Sequence, residues 1–126
     1  FKNATGAGVA MAEDSVLDGF TITGVGQYDE VSWKKHQATL GEEQSHEHIG
    51  AAGTAGIAVV GITRCTVRDN IVHHVGYTGI AITGTEGKRV SPHVFRNVTY
   101  RNMGGGIGSM KKSTAIIESN LCFETL

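Results

Sequence analysis

The sequence predicts an all-β protein, a parallel β-solenoid of about four coils with one long lateral insertion. Three observations carry this. A Gly-Ile-small unit is written three times, as "GIAVVG" at 56–61, "GIAITG" at 79–84 and "GIGSM" at 106–110. An Asn follows a short strand-like run at 70, 97 and 120, at spacings of 27 and 23 residues. The runs themselves are three to six residues of Val, Ile, Thr and aromatics, with period-2 alternation. Self-similarity of 20–30 residues is the mark of a solenoid, because one coil cannot bury its inward side chains alone and stacked coils can.

The first unit is "GVAM" at 8–11, followed by "DSVLDGFTITGVG", with Gly19 where later units carry Asn. The second begins at Gly56 and continues through "TRCTVRDNIVHHVGY", the third at Gly79 through "SPHVFRNVTYRNM", and the fourth at Gly106 through "STAIIESNLCFETL". Each holds three strands. The alignment puts Val16, Val67, Val94 and Ile117 in one column and Phe20, Ile71, Val98 and Leu121 in another. Ile22, His73, Tyr100 and Phe123 fill a third column, expected to point inward. The Asn column is expected to take the left-handed backbone of a sharp corner and to hydrogen-bond from coil to coil. The 18 glycines with a single proline suit many tight turns at positive φ.

Residues 27–53 interrupt the rhythm with a polar stretch that holds Trp33, the only tryptophan, and three of the six histidines. "DEVSWKKHQATLGEE" has the composition of a short helix, though its periodicity is poor. By the repeat, this insertion leaves at the corner that later coils cross with "GYTG" (76–79) and "NMGGG" (102–106), and folds back over one lateral face. Long loops on compact folds are usually functional or disordered, so the insertion is expected either to shape a binding surface or to serve as a decorating or capping loop without a ligand.

At 126 residues the chain is the size of one domain, 1–126. Phe1 and "LCFETL" both read as mid-element, so truncation at both ends is expected, with flanking coils or self-association covering the open coil faces. A net charge of −1 points to no nucleic acid, and no apolar run is long enough for a membrane span. Cys65 and Cys122 fall two coils apart, roughly 10 Å at about 4.8 Å per coil, too far for a disulfide; both are expected to be free and buried.

Four groups of residues carry candidate chemistry. His74, Arg101 and Glu124 share a column beside the insertion, and an imidazole, a guanidinium and a carboxylate there can bind a sugar chain; His74 and Arg101 are the catalytic candidates for acid–base work. Trp33 of the insertion joins them as a binding candidate. Lys88 and Arg89, with Lys111 and Lys112 one coil on and Arg64 one coil before, form a basic edge that either suits carboxylated or sulfated polysaccharide or keeps the stacked coils soluble and unaggregated. His46 and His48, two apart in "SHEH", point the same way in an extended segment and are candidate ligands of a divalent metal; a third ligand would come from elsewhere. "NVT" at 97–99 reads as a glycosylation acceptor, but Asn97 belongs to the Asn column and is expected to be structural.

"VLDGFTITG", "VRDNIVHHVGYTGIAITG" and "FRNVTYRNMGGGIG" resemble coils of the right-handed parallel β-helix superfamily, over about residues 4–26 and 54–126. That is the fold of pectate lyases, alginate lyases, polygalacturonases and many bacterial surface proteins. The resemblance implies a secreted or cell-surface protein that binds polysaccharide on its lateral face, with lyase or hydrolase chemistry if it is an enzyme. The calcium-binding aspartates of pectate lyases and the aspartate signature of polygalacturonases have no match here. The competing expectation is a non-catalytic structural or adhesive surface protein.

Overall fold

The computed structural model describes residues 6–39 and 53–126. The strands are β1 (Val9–Ala10), β2 (Val16–Asp18) and β3 (Thr21–Thr23), then, after helix α1 (Glu30–Ala38), β4 (Ile57–Val60), β5 (Thr66–Arg68) and β6 (Ile71–His73). They continue with β7 (Ile80–Thr83), β8 (His93–Phe95), β9 (Val98–Tyr100), β10 (Ile107–Met110), β11 (Ile116–Glu118) and β12 (Leu121–Phe123). Every third strand joins the same sheet: β1-β4-β7-β10, β2-β5-β8-β11 and β3-β6-β9-β12, all parallel. This is a parallel β-helix of four coils, as the repeat predicts.

The core is a set of columns running along the coil axis. Ile57 stands on Ile80, Val59 on Ile82, and Val67 on Val94, all fully buried. Each such side chain contributes about 1.5–3 kcal/mol of burial. The columns thin out toward the last coil, where Ile117 is 42% exposed although Val67 and Val94 beneath it are at 0%.

The repeated Gly answers to space rather than to backbone sign. Gly79 has no positive φ. A Cβ there would lie 2.7 Å from the carbonyl oxygen of Gly106 and 2.8 Å from Nδ2 of Asn102. Gly56 repeats this against the Gly79 carbonyl at 2.8 Å. The Gly column is therefore where successive coils approach too closely for any side chain. The positive-φ corners, expected to be glycine, are held largely by other residues, among them Asp69, Arg96 and Ser119 in one column and His74, Arg101 and Glu124 in another.

The Asn ladder forms as expected, with one correction. Nδ2 of Asn70 donates to Oδ1 of Asn97 at 3.0 Å, and Nδ2 of Asn97 to Oδ1 of Asn120 at 3.0 Å. Each of these oxygens also accepts the backbone N–H of the Asn one coil before. The left-handed residue is the one preceding each Asn. The side-chain amide closes the corner while its neighbour makes the turn. Asn97 is fully buried, which fits the structural role expected of it.

The first coil is registered one residue away from the expected alignment. Leu17, not Val16, stands on Val67, and Thr21, not Phe20, on Ile71. Phe20 takes the Asn position, where its backbone N–H donates to Oδ1 of Asn70 at 3.0 Å. This register pairs Asp18 with Arg68 at 3.0 Å and buries Ile22, leaving Val16 outside. The third-strand column is also reversed. Val72 and Thr99 are buried, whereas His73, Tyr100 and Phe123 face outward. Cys65 is buried, and burial pushes its thiol up to about 11, but Cys122 is exposed on the last coil, contrary to expectation.

Candidate functional site

The start of the insertion is fixed by the coil beneath it. The N–H of Gly76 donates to the carbonyl of Val25 at 2.7 Å, and a Cβ at Gly76 would lie 2.6 Å from the backbone nitrogen of Gln27. The backbone N–H of Asp29 lies 3.5 Å from Sδ of Met103. The insertion thus crosses at the corner named by "GYTG" and "NMGGG". Asp29 then caps α1, its carboxylate accepting the N–H of Val31 at 3.0 Å. Glu30 lies in the first turn and Lys35 and His36 in the last, in keeping with the helix dipole. Trp33 and His36, three apart on one face, are buried.

Three functional candidates come together here. His74, Arg101 and Glu124 form one corner column, tied by backbone bonds from His74 to Arg101 and from Arg101 to Glu124. Arg101 is ion-paired with Glu124, lies 3.8 Å from Glu30 of the insertion, and covers the Trp33 ring at 5.6 Å. The insertion adds Tyr28, which sequence reasoning did not single out. Its ring meets His74 edge-on at 4.6 Å, and its hydroxyl donates to Glu30 at 2.5 Å. Burial, followed by that bond to Glu30, pushes the Tyr28 phenol up. The Tyr28 hydroxyl and then Lys34 hold Glu30 below the usual carboxylate range.

Beside this corner, on the third sheet, the outward rings of His73, Tyr100 and Phe123 stack at 4.8 and 4.9 Å, nearly parallel. Ile71 and Leu121 stand exposed in the neighbouring outward column. Nδ1 of His73 lies 2.7 Å from Nδ1 of His74. The lateral face is therefore an apolar and aromatic strip edged by an imidazole pair, a guanidinium, two carboxylates and a phenol. That mixture suits a ligand with apolar ring faces and polar rims. "QYDE" before the helix could have flagged Tyr28 and Glu30, since a capping Asp fixes both neighbours at the helix mouth.

The basic candidates lie elsewhere. Lys88, Arg89, Lys111 and Lys112 belong to the corner between the first and second sheets, away from the corner that His74 and Arg101 occupy. They are interleaved with acids. Lys112 pairs with Glu86 at 3.0 Å and Arg64 with Asp14 at 3.1 Å. Glu13 accepts the backbone N–H groups of Thr63 and Arg64, and the Thr63 bond leads in lowering its carboxyl. Lys88 reaches the carbonyl of Gly61 at 3.4 Å, and Arg89 the hydroxyl of Thr114 at 3.4 Å. An open groove of about 540 Å³ lies here, with Thr85, Glu86, Lys111 and Lys112 on its walls. The candidates thus divide between two corners. His46 and His48 lie outside the described residues, and no group of three metal-ligating side chains occurs among the described ones. No helix among the described residues is long and apolar enough to cross a membrane.

No protein-family model, no curated protein sequence and no solved structure matches this chain.

Proposed function

We propose that this is a secreted or cell-surface, carbohydrate-active β-helix protein, pectate-lyase-like in kind, that binds an acidic polysaccharide along the lateral face of its third sheet. The observation that carries the reading is the return of the insertion to the His74–Arg101–Glu124 column. It brings Tyr28 and Glu30 to the corner beside a strip of exposed rings and aliphatic side chains, while Trp33, expected as a binding residue, is buried under Arg101 and packs the insertion. Sugar rings have apolar faces for the strip, and a uronate carboxylate has a partner in Arg101. His74 and Arg101 are the catalytic candidates for a lyase step, Arg101 neutralising the uronate carboxylate and His74, as imidazolium, protonating the leaving glycosidic oxygen. In such a step solvent takes the proton next to the uronate carboxylate, the C–H electron pair forms a carbon–carbon double bond, and the glycosidic C–O bond breaks with its oxygen taking the His74 proton.

The experiment is affinity electrophoresis on neutral and acidic polysaccharides, with and without a chelator. The wild type runs beside a His74→Asn, Arg101→Asn double variant, since Asn accepts the left-handed backbone of both sites (φ 52 and 48). Retardation by an acidic glycan, lost in the variant, is the expected result. Chelator sensitivity would bring in the divalent-metal reading of His46 and His48. No retardation on any glycan would reject the proposal in favour of a structural or adhesive surface protein. That second reading draws on a specific observation too: Arg101 is already held between Glu124 and Glu30.

A further inference from the structure

We infer that His73 and His74 form a proton-operated latch on this lateral face, closed on itself when neutral and open to a carboxylate-bearing ligand once both rings are charged. The inference rests on the carbohydrate reading above and names how that site is regulated.

The geometry sets the logic. The two Nδ1 atoms are 2.7 Å apart. A neutral imidazole has one N–H and one lone pair, so this contact needs a donor on one ring and an acceptor on the other. When both rings are imidazolium, both Nδ1 atoms carry hydrogen and the contact cannot persist. The second proton therefore breaks the pair and frees two N–H donors.

The rings differ in their freedom to respond. His73 is clamped by stacking on Tyr100, which stacks on Phe123, and its Nδ1 is 3.4 Å from the Thr23 hydroxyl. His74 sits at the corner and meets Tyr28 and Tyr100 only edge-on. His74 is thus the ring that swings.

The surroundings leave the charged pair in need of an outside anion. Facing it are Thr23 from β3, Tyr100 from β9, Arg101 and Glu124 from the corners of the next two coils, and Tyr28 and Glu30 from the insertion. Glu124 is engaged by Arg101, and Glu30 by Tyr28, Lys34 and Arg101. Among the described residues, both nearby carboxylates already have cationic partners. Burial first, then the charge of His74, hold His73 below the ordinary imidazole value. A carboxylate ligand would offset both effects and draw the second proton on.

The test is an NMR titration of imidazole-labelled protein, alone and with oligogalacturonate as probe, for the wild type and His74→Asn. In the wild type His73 should take up its proton below the ordinary imidazole value. In His74→Asn the remaining His73 should move back toward its ordinary value. Oligogalacturonate should raise the acid step by about one unit. By linkage this is about a tenfold gain in affinity as pH falls through that step, and it should vanish in His74→Asn.

A His73 that is indifferent to the substitution would overturn the latch. So would an acid step that oligogalacturonate leaves in place. Glycan binding at pH 7.5 separates the two failures. Retention there with an unmoved acid step rejects the latch and keeps the carbohydrate reading. Absence of retention at every pH, with an unmoved step, rejects both.

Discussion

Replacing Asn97 by Ala should break the β-helix at its middle. Asn97 is fully buried, and its Nδ2 donates to the carbonyl of Val67 at 2.9 Å and to Oδ1 of Asn120 at 3.0 Å. Its Oδ1 accepts both the backbone N–H and the side-chain Nδ2 of Asn70, at 3.1 and 3.0 Å. Truncation leaves the Val67 carbonyl and the Asn70 N–H buried without these partners. Each orphan costs about 1–3 kcal/mol, so a loss of about 3–4 kcal/mol is expected. With a urea slope of roughly 2 kcal/mol per molar, the midpoint should fall by about 1.5–2 M, read by circular dichroism at the sheet band. Asn97→Asp should be at least as damaging, because a carboxylate would face the Val67 carbonyl and the Asn120 Oδ1 with no proton to offer. Asn120→Ala should cost less, since Asn120 is only half-buried and receives the ladder from one side. A loss below about 0.5 kcal/mol for Asn97→Ala would refute the claim that the ladder, rather than the strands alone, holds the coils in register.

Further outcomes follow from other sites. Gly79→Ala should cost about 3 kcal/mol by overpacking, since its Cβ would meet backbone and amide atoms under 3 Å away; a thermal melt that does not move would contradict the spatial reading of the Gly column. Acid should destabilise the fold through His73. Its native value lies below the unfolded one, so the unfolded chain binds the proton first, and stability should fall as pH drops through about 6.5. His73→Asn should flatten that dependence in pH-stepped urea melts. Cys122 should react with a thiol reagent in the native state and Cys65 only on unfolding; equal rates would place Cys65 outside the core. Gly76→Val should detach the start of the insertion and shift Trp33 fluorescence to the red while the sheet signal persists.

The coil architecture was legible because the Gly-Ile unit and the Asn column each serve one geometric need in the last three coils. Gly clears the close approach between coils, and Asn ties one corner to the next. The first coil was less legible. "VLDGF" offers apolar residues at both parities, so alternation alone could not choose between Val16 and Leu17. The prospect of pairing Asp18 with Arg68 would have decided it. The facing of His73 was hidden for a similar reason. In "IVHH" every residue tolerates either side, and only the full burial of Val72 and Thr99 fixes the parity.

The lateral site was legible in its column and not in its partners. His74, Arg101 and Glu124 follow from the repeat, whereas Tyr28 and Glu30 reach them through an insertion whose first residues are seated by Gly76 and Met103, far along the chain. The basic edge was read from cations alone. Glu13 and Asp14 come to the same corner from the first coil, and Glu86, in the loop that carries Lys88 and Arg89, pairs with Lys112 of the next coil.

The most direct measurement is a backbone amide chemical-shift map of the chain with an acidic oligosaccharide. Binding on the lateral face requires the perturbed amides to cluster at Tyr28, His73, His74, Tyr100, Arg101 and Glu124. Perturbations confined to Lys88, Arg89, Lys111 and Lys112 would move the site to the basic corner. An unperturbed spectrum across the acidic glycans tested would contradict polysaccharide binding and leave the coils as a structural surface element.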